Sequence, residues 1–342
     1  MIITRAPVRI GIGGGGSDLP AYYRQYGGRV VNATVNRYVY VVLSSNRRGS
    51  VQLTSSDFSA FLNFEAGADL AVPDDALSLV RAALAEFGLS EGIDVFTASE
   101  TPPGTGLGSS SATAVALVKA LSTFRGEHLT DLQVANRACH IELERLQSPI
   151  GKQDQYAAAF GGFNTFDFEP DGSVKVRPLA VEPHTVEVLE QRLQLYFTGM
   201  QREANLILKT QSENIVAHKT EGEATDLIEY ATQTERALLR GDLDELGELL
   251  RVGWERKRGM ADGVSTDRID EWVACALENG ALGAKLTGAG GGGYLLAMAA
   301  EGQEERLRTA MLGAGLRPLD YRFDWSGARV LMNSEHRAAA AV

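Results

Sequence analysis

Residues 102–112 read PPGTGLGSSSA, a glycine-rich loop that runs directly into the helical pattern SSSATAVALVKALSTF at 109–124. The first N–H groups of a helix have no partner within it, and the helix dipole adds positive potential there. A helix start preceded by bare backbone is therefore suited to bind phosphate, and the serine hydroxyls supply further donors. The alternative is a serine-capped buried helix whose glycines serve close packing. The pattern favours an anion site at the start of this helix.

Two further glycine clusters lie at 11–16 (GIGGGG) and 288–293 (GAGGGG). The 342 residues include 37 glycines, more than the average content of about 7% would give. These two clusters and the loop at 104–108 account for the excess. Glycine weakens helices and strands alike, so such clusters indicate positions where bare backbone is needed. The chain thus needs bare backbone at three places that are far apart in sequence.

The first and third clusters are similar to other nucleotide loops. The first satisfies G-x-G-x-x-G between a predicted strand and a predicted helix, as in dinucleotide-binding sites. Such sites also need an acidic residue about 20 positions later to hold the ribose, and no acid lies between Asp18 and Asp57. The third is similar to a protein-kinase glycine loop, but no HRD or DFG triplet occurs in the chain. The dinucleotide and protein-kinase interpretations are therefore weak.

Two more motifs fail at specific residues. A Walker A loop around Gly151-Lys152 would need glycine at Leu146 and Ser or Thr at Gln153. The hydrolase elbow G-x-S-x-G is missed by one residue at 108–112. Neither a Walker-type ATPase nor a serine hydrolase is predicted.

Composition narrows the class of protein further. The formal net charge of −11 argues against nucleic acid or an anionic membrane as partner, because both require broad positive surfaces. Cys139 and Cys275 are too few for a disulfide framework or a zinc cluster. Arg5 and Arg9 interrupt the stretch where a secretory signal needs an apolar run, and no window reaches the ~18 apolar residues of a membrane span. We expect a cytoplasmic protein with small-molecule partners; its oligomeric state stays open.

Local patterns predict alternating strands and helices. Residues 8–12 alternate like a strand before the first loop. Thr130 and Gln133 form a capping box for a helix that continues to about Leu146. Asp171-Gly172 marks the turn of a β-hairpin.

Three motifs in order resemble those of the GHMP small-molecule kinases: APVR…GSD within 6–18, the loop at 102–112, and KLTGAGGGG at 285–293. The likeness covers residues 1–332. Stretches such as GKQDQYAAAFGGFN (151–164) are similar to the sugar-kinase branch that includes D-glycero-D-manno-heptose 7-phosphate kinases and fucokinases. The resemblance implies ATP as phosphoryl donor, together with Mg²⁺.

The resemblance also implies an α+β fold of two domains with the active site between them. The first domain would be similar to the second domain of ribosomal protein S5, and the second would be ferredoxin-like. Long amphipathic helical patterns dominate after about residue 180. We therefore predict residues 1–185 as the ATP-binding amino-terminal domain and residues 186–342 as the carboxy-terminal domain.

Two residues match the catalytic positions of related sugar kinases. Asp154 matches the aspartate that takes the proton of the acceptor hydroxyl, although it could instead cap a helix that begins near Gln155. Arg9, on the strand before the first loop, matches a cation that stabilises the transferring phosphoryl group. The alternative for Arg9 is an outward strand position paired with a carboxylate.

The resemblance assigns the ATP phosphates to the second loop and the helix after it. The nucleotide-binding residues would be Pro103, Gly104, Gly106, Leu107, Gly108, Ser109, Ser110 and Ser111. Ser110 and Glu142 match the serine and glutamate that hold Mg²⁺ in relatives. Glu144, two residues further on, is a rival to Glu142, and a solvated helix face is the alternative interpretation of Glu142.

The acceptor is assigned to residues from several segments: Gly15, Gly16, Ser17, Asp18, Gly151, Thr198, Arg202, Gly290 and Gly291. Asp18 matches the aspartate that hydrogen-bonds sugar hydroxyls, but Asp18-Leu19-Pro20 is also a good helix start. Galactokinase has a Glu-His pair where this chain has Gly15 and Gly16, so the pocket floor is open for a bulkier sugar. Arg202, or a nearby lysine such as Lys209, is a candidate for binding a distal phosphate.

These assignments predict a kinase that phosphorylates the anomeric hydroxyl of D-glycero-D-manno-heptose 7-phosphate, towards nucleotide-activated heptose and surface polysaccharide. The alternative is an anomeric kinase for fucose or a related sugar without a phosphate. A non-catalytic sugar or nucleotide sensor on the same fold is a third interpretation. Such a sensor would have lost the base, the metal carboxylate or the loop serine, whereas Asp154, Glu142 and Ser110 are all present.

Overall fold

The computed structural model describes residues 1–67, 75–200, 204–217 and 226–335. Within these ranges the chain forms two β-sheets with helices packed on them, so the predicted α+β class is confirmed. Among the described helices, none has the length and apolar character to cross a bilayer.

The first sheet is built on two long strands. Its strands are β1 (Ile2–Gly13), β2 (Gly28–Ser45), β3 (Val51–Ser55), β4 (Ala60–Phe64), β5 (Ile93–Ser99), β6 (Phe163–Phe168), β7 (Val174–Pro178) and β12 (Arg329–Asn333). The main order is β12-β1-β2-β5-β3-β4, and β7 pairs with β6, which pairs with β2. β2 is long because residues 28–33 pair with β6 and residues 39–45 pair with β5. The hairpin predicted at Asp171-Gly172 is confirmed, since β6 and β7 flank this turn and pair in antiparallel fashion.

Helices of the first half cover this sheet. They are α1 (Pro20–Tyr26), α2 (Ser78–Glu86), α3 (Ser109–Arg125), α4 (Asp131–Cys139) and α5 (Gln153–Phe160), with a π-helical segment at His140–Arg145 after α4. The small side chains of α3 let it pack closely on β1 and β2, and the Thr4 hydroxyl donates to the Ala116 carbonyl at 2.8 Å. The Thr130–Gln133 capping box is confirmed at the start of α4.

The second half contains a smaller sheet with its own helices. Its elements are α6 (Pro183–Arg192), β8 (Leu193–Phe197), α7 (Ala204–Val216), α8 (Asp226–Arg240), α9 (Leu243–Arg258), α10 (Asp267–Glu278), β9 (Ala281–Leu286), β10 (Tyr294–Ala299), α11 (Glu304–Gly313) and β11 (Arg317–Leu319). The antiparallel order is β11-β8-β10-β9. The domain boundary at residue 185 stays a prediction, and β12, from the predicted second domain, pairs with β1 of the first sheet.

A backbone contact without side chains brings α9 onto β9. A Cβ atom added to Gly283 of β9 would overlap the Gly247 carbonyl of α9 and lie 2.7 Å from the Arg251 nitrogen. Glycine is therefore required at Gly283 by the proximity of the helix, and the φ angle there is not in the left-handed region. This contact sets the distance between α9 and β9.

We expect Gly283→Ala to lower the free energy of unfolding by roughly 1–3 kcal/mol, because the methyl group forces α9 away from β9. Urea unfolding of both proteins measures the difference. The matched control is Gly313→Ala at the end of α11, where an added Cβ meets nothing within 4 Å. Equal stability of the two variants would show that the helix and the strand can separate without cost.

Candidate active site

A cavity of about 630 Å³ lies where parts of all three glycine loops come together. Its walls include the first loop, the start of α3, the segment 145–154, and residues of α7, α9 and β9. The volume lies within the range of roughly 300–1,000 Å³ that is usual for small-molecule sites. The cavity contains most of the residues that the sequence assigned to catalysis and binding.

The start of α3 forms the wall predicted to bind phosphate. The predicted nucleotide-binding residues that line the cavity are Gly104, Gly106, Gly108, Ser109, Ser110 and Ser111. Gly108 precedes the helix with φ +77°, and no side chain caps the helix there. Its first N–H groups are therefore oriented for a ligand. Pro103 and Leu107 do not line the cavity: Leu107 is buried in the core and its carbonyl accepts the Arg9 N–H at 2.9 Å.

The second and third glycine loops contact each other directly through their backbones. A Cβ atom at Gly106 would lie 2.6 Å from the Thr287 carbonyl oxygen, and one at Gly288 would lie 2.5 Å from the Gly106 Cα. The Tyr294 N–H donates to the Thr105 carbonyl at 3.2 Å. This contact between two distant segments explains glycine at both positions and fixes one side of the cavity.

Three residues predicted to bind the acceptor support the third loop instead. A Cβ atom at Gly290 would lie 2.8 Å from the Val264 carbonyl oxygen, and the Gly291 N–H donates to that oxygen at 2.7 Å. The Thr198 hydroxyl donates to the Gly293 carbonyl at 2.8 Å. None of the three lines the described cavity, because their backbone and hydroxyl groups hold neighbouring segments.

Ser17 also has a structural role, since its hydroxyl bonds the carbonyls of Gly14 and Arg29 at 2.8 Å and closes the first loop. It does not line the described cavity. Arg202 lies outside the described residues. The other predicted acceptor residues, Gly15, Gly16, Asp18 and Gly151, do line the cavity.

Arg9 and Asp154 form a two-point ion pair in the cavity. The Arg9 Nε donates to Oδ1 of Asp154 and one terminal nitrogen donates to Oδ2, both at 2.7 Å. The other terminal nitrogen donates to the Gly106 carbonyl. Asp154 lies in the first turn of α5, whose cap position is Lys152, so Asp154 does not cap this helix. The Arg9 side chain is 6% exposed and that of Asp154 is 21% exposed, so the carboxylate is the more accessible partner.

Asp18 is held by Gln153, a residue that the sequence reasoning missed. The Asp18 carboxylate accepts the side-chain amide of Gln153 at 2.9 Å and the backbone N–H of Gln153 at 3.2 Å. It therefore satisfies the first amide of α5, whereas α1 begins without a side-chain cap. Burial and the nearby charge of Asp154 raise the pKa of Asp18. Two neighbouring polar side chains thus face the cavity beside the first glycine loop.

Glu142 is a buried carboxylate at the phosphate wall. It is 2% exposed, accepts the Ser110 hydroxyl at 3.1 Å and accepts the Gln155 amide at 2.6 Å. Burial raises the pKa of Glu142 to about 7, although these hydrogen bonds oppose the shift. Glu144 is exposed and does not line the cavity. Of the two rivals, Glu142 is therefore the one that faces the cavity beside Ser110.

The oxygen atoms of Ser110 and Glu142 suit Mg²⁺. This ion prefers oxygen ligands, keeps several waters, and is commonly bound through one or two carboxylates and the phosphates of a nucleotide. Glu142 forms no ion pair with a lysine or arginine in the described ranges, so a cation would compensate its buried charge. Within those ranges no three His, Cys, Asp or Glu side chains cluster as a self-sufficient metal site. The donor set fits a metal that arrives with phosphate oxygens.

Lys257 of α9 and Lys285 of β9 also line the cavity, and the sequence reasoning missed both. Lys257 donates to the Gly288 carbonyl, and Lys285 donates to the Ile12 carbonyl at 2.6 Å. The surrounding protein lowers the pKa of Lys257 to about 8, and the charge of Arg9 adds to the effect. Desolvation, with the charges of Lys257 and Arg9, lowers the pKa of Lys285 to about 7. The cleft thus holds three neighbouring cations.

We expect Lys285→Met to stabilise the ligand-free protein, and more so at about pH 7 than at about pH 10. The pKa of Lys285 is about 7 in the folded state against 10.5 normally. Between these values the unfolded chain binds more protons, so the stability of the wild type rises with pH. Methionine removes this penalty, on the order of 2 kcal/mol at neutral pH once solvent in the cavity is allowed for.

Urea unfolding at both pH values measures this difference. The control is Lys175→Met, an exposed lysine on β7 that pairs with Glu169 at 2.6 Å. The contributions of titratable groups that all three proteins share cancel when their free energies of unfolding are compared. A stability difference for Lys285→Met that is the same at both pH values would contradict the expectation.

Comparison with known proteins identifies the family. The sequence matches the models of the GHMP kinases N terminal domain over residues 75–162 and the GHMP kinases C terminal over residues 234–315. A D-glycero-alpha-D-manno-heptose 7-phosphate kinase of Campylobacter jejuni is 32% identical over 298 residues, 86% of this chain and 88% of that protein. An L-fucokinase/L-fucose-1-P guanylyltransferase of Bacteroides fragilis is 29% identical over 87% of this chain and 34% of its own length.

Solved structures agree with this assignment. A D-glycero-D-manno-heptose 1-phosphate kinase from Bacteriodes thetaiotaomicron superposes with a TM-score of 0.81 at 28% identity, covering 98% of this chain and all of that one. Lactococcus lactis galactokinase, at 16% identity, shares the fold with a TM-score of 0.76 over 96% of this chain and 94% of its own. The two-domain fold implied by the resemblance is confirmed. This chain belongs to the GHMP kinases, phosphotransferases that use ATP as phosphoryl donor and act on a hydroxyl group.

Proposed function

We propose that this chain transfers the terminal phosphoryl group of ATP to the anomeric hydroxyl of D-glycero-D-manno-heptose 7-phosphate, which gives the 1,7-bisphosphate. The position of Asp154 carries the proposal. A Cβ atom at Gly108, directly before α3, would lie 2.9 Å from Oδ2 of Asp154. Asp154 also lies close enough to Asp18 to raise its pKa. One accessible carboxylate therefore stands between the phosphate wall and the first glycine loop.

The residues of the cleft can perform an in-line phosphoryl transfer. The anomeric oxygen forms a bond to the terminal phosphorus as the bond from that phosphorus to the bridging oxygen breaks and ADP leaves. Asp154 accepts the proton of the hydroxyl, which is more acidic at the anomeric carbon than in an ordinary alcohol. Arg9 orients this carboxylate and stabilises negative charge on the phosphoryl oxygens.

The donor phosphates have a complementary wall. Ser109, Ser110 and Ser111 line the cavity at the start of α3, whose first N–H groups have no partner within the helix and are suited to bind a triphosphate. Ser110 and Glu142 would hold Mg²⁺, which neutralises charge on the phosphate oxygens. These groups can bind the ATP phosphates without the lysine that a Walker motif would provide.

The acceptor side of the cavity is polar and open. An added Cβ atom at Gly15 has only the Gln153 amide within 4 Å, at 3.7 Å, so space remains above this part of the loop. Asp18 and Gln153 offer acceptors and donors to neighbouring hydroxyl groups, as a polyol requires. This chemistry supports a sugar with several neighbouring hydroxyl groups more than mevalonate, which has two hydroxyl groups that are not adjacent, although a mevalonate kinase of 29% identity is also a relative.

The names of the two heptose-kinase relatives differ in the position of the phosphate on the sugar. A phosphate at C7 leaves the anomeric oxygen free to attack, whereas a phosphate at C1 occupies it. The proposal therefore takes the 7-phosphate as substrate and places the reaction before nucleotide activation of the heptose, for surface polysaccharide. Because ATP is the donor, we also propose a cytoplasmic location.

An acceptor screen tests the substrate. ADP formation is measured with D-glycero-D-manno-heptose 7-phosphate, the 1-phosphate, the unphosphorylated heptose, L-fucose and mevalonate, and phosphorus NMR locates the new phosphate. We expect the 7-phosphate to give the highest kcat/KM and an anomeric phosphate. Preference for L-fucose, supported by the fucokinase relative, would establish the alternative, and turnover of mevalonate alone would refute both.

We expect Asp154→Asn to lower kcat by about a hundredfold or more, because the amide cannot accept the proton. The KM for ATP should change by no more than about twofold, since Asp154 is not one of the phosphate donors. Steady-state kinetics measures both values. Asp320→Asn is the control, because this side chain is 78% exposed and pairs on the surface with Arg308. Near-normal turnover of Asp154→Asn would remove Asp154 from the mechanism.

We expect Ser110→Ala and Glu142→Gln each to raise the Mg²⁺ concentration for half-maximal activity by about tenfold or more, because the first removes an oxygen ligand and the second replaces a charged carboxylate with a neutral amide. Glu144→Gln is the matched control, since Glu144 is exposed outside the cavity. Titration of activity with Mg²⁺ at saturating ATP measures the effect. An unchanged requirement in Glu142→Gln with a raised one in Glu144→Gln would reverse the assignment.

A further inference from the structure

Lys257 and Lys285 line the cavity, and the proposed transfer does not use them. Arg145, a further charged residue of the lining, is paired with Glu86 at 2.5 Å. The two lysines come from different elements, α9 and β9, and the Gly247–Gly283 contact holds these elements together. Each ammonium group donates to one backbone carbonyl, that of Gly288 for Lys257 and that of Ile12 for Lys285. An ammonium group has three donors, so each retains capacity for a ligand.

The two lysines lack close counter-ions in the part of the chain that the structure describes. Neither forms an ion pair with a carboxylate there, and each has a lowered pKa. Two like charges in a protein-lined cleft are unfavourable unless something compensates them. A fold that keeps both at this cost is suited to receive an anion between them.

The lysines lie between the first glycine loop and the contact of the second and third loops, because Lys285 bonds Ile12 and Lys257 bonds Gly288. The charge of Lys257 interacts with Arg9 and with Asp18, and the charge of Lys285 interacts with Lys257 and Arg9. Glu142 at the phosphate wall interacts with a different set of groups, namely Ser110, Ser111, Gln155 and Asp154. Lys285 also bonds the carbonyl of Ile12, which belongs to the first glycine loop. The pair is thus associated with the segment assigned to the sugar.

A buried amide on α7 is a second sign of a polar ligand. Gln211 is 2% exposed and lines the cavity, and its side-chain nitrogen has no hydrogen-bond partner among the described residues. A buried donor without a partner costs free energy, so an oxygen-rich ligand would satisfy it. The amide is independent of the lysines because it belongs to a different element.

We infer that Lys257 and Lys285 form a subsite for the phosphate that the acceptor itself carries, distinct from the phosphates of ATP. The inference rests on the proposed function and names the residues that make a phosphorylated sugar the preferred acceptor. A phosphate dianion between two ammonium groups restores charge balance and gains charge-assisted hydrogen bonds. The predicted role of Arg202 in binding a distal phosphate is not needed for this subsite.

The test compares a phosphorylated with an unphosphorylated acceptor. Lys257→Met, Lys285→Met and Lys175→Met as surface control are assayed at saturating ATP with D-glycero-D-manno-heptose 7-phosphate and with D-glycero-D-manno-heptose. The Kd of the 7-phosphate is also measured by calorimetry without ATP. We expect each cavity variant to lose about 30-fold in kcat/KM and in affinity for the 7-phosphate, the size of one lost charge-assisted contact. The kcat/KM of each variant for the unphosphorylated heptose should stay within about threefold of the wild-type value.

Equal losses on both sugars would overturn the inference, because the lysines would then act on the transferring phosphoryl group. Unchanged values on both sugars would overturn it as well. Thermal unfolding of each variant confirms that the protein is folded. Lysine-dependent binding of the 7-phosphate without turnover would retain the subsite and refute the proposed function. Turnover that is insensitive to both lysines would refute the subsite alone, and absence of both binding and turnover in the wild type would refute both.

Discussion

The guanidinium group of Arg9 joins the parts of the cleft that must act together. It donates to both oxygens of Asp154 on α5 and to the carbonyl of Gly106 in the second loop. The backbone N–H of Arg9 donates to the Leu107 carbonyl. The planar two-donor edge of arginine fixes the orientation of the carboxylate, which a lysine could not do. One side chain on β1 therefore sets the position of the carboxylate relative to the start of α3.

Both the acidic and the basic side chains of the cleft have shifted pKa values. Burial raises the pKa of Asp18 and Glu142 and lowers the pKa of Lys257 and Lys285. Each group is therefore less stable in its charged form than it would be in water. A cation beside Glu142, sugar hydroxyls that donate to Asp18 and an anion between the lysines would relieve these penalties. These charged groups therefore lower the folding stability of the ligand-free protein, and the same groups favour the binding of highly charged substrates.

The sequence predicted the elements better than the roles of individual glycines. The capping box at Thr130 and the loop before α3 depend on local chemistry, so they could be read directly. Gly290 pairs with Val264, a contact between segments that no local pattern shows. Lys257 lies within Glu255-Arg-Lys-Arg258 at the end of α9, where basic residues usually favour the helix dipole. Only the packing of α9 on β9 reveals that this one lysine turns into the cavity.

The pairing of β12 with β1 has a consequence for how the protein is made. β1 is synthesised long before its partner β12, because residues 2–5 pair with residues 329–333. The outer edge of β1 therefore stays unpaired until β12 has been synthesised. An edge of this kind can pair with other nascent chains, and its closure spans a very large sequence separation. Completion of the first sheet thus has to wait for β12, which follows every other strand of the described residues in the chain.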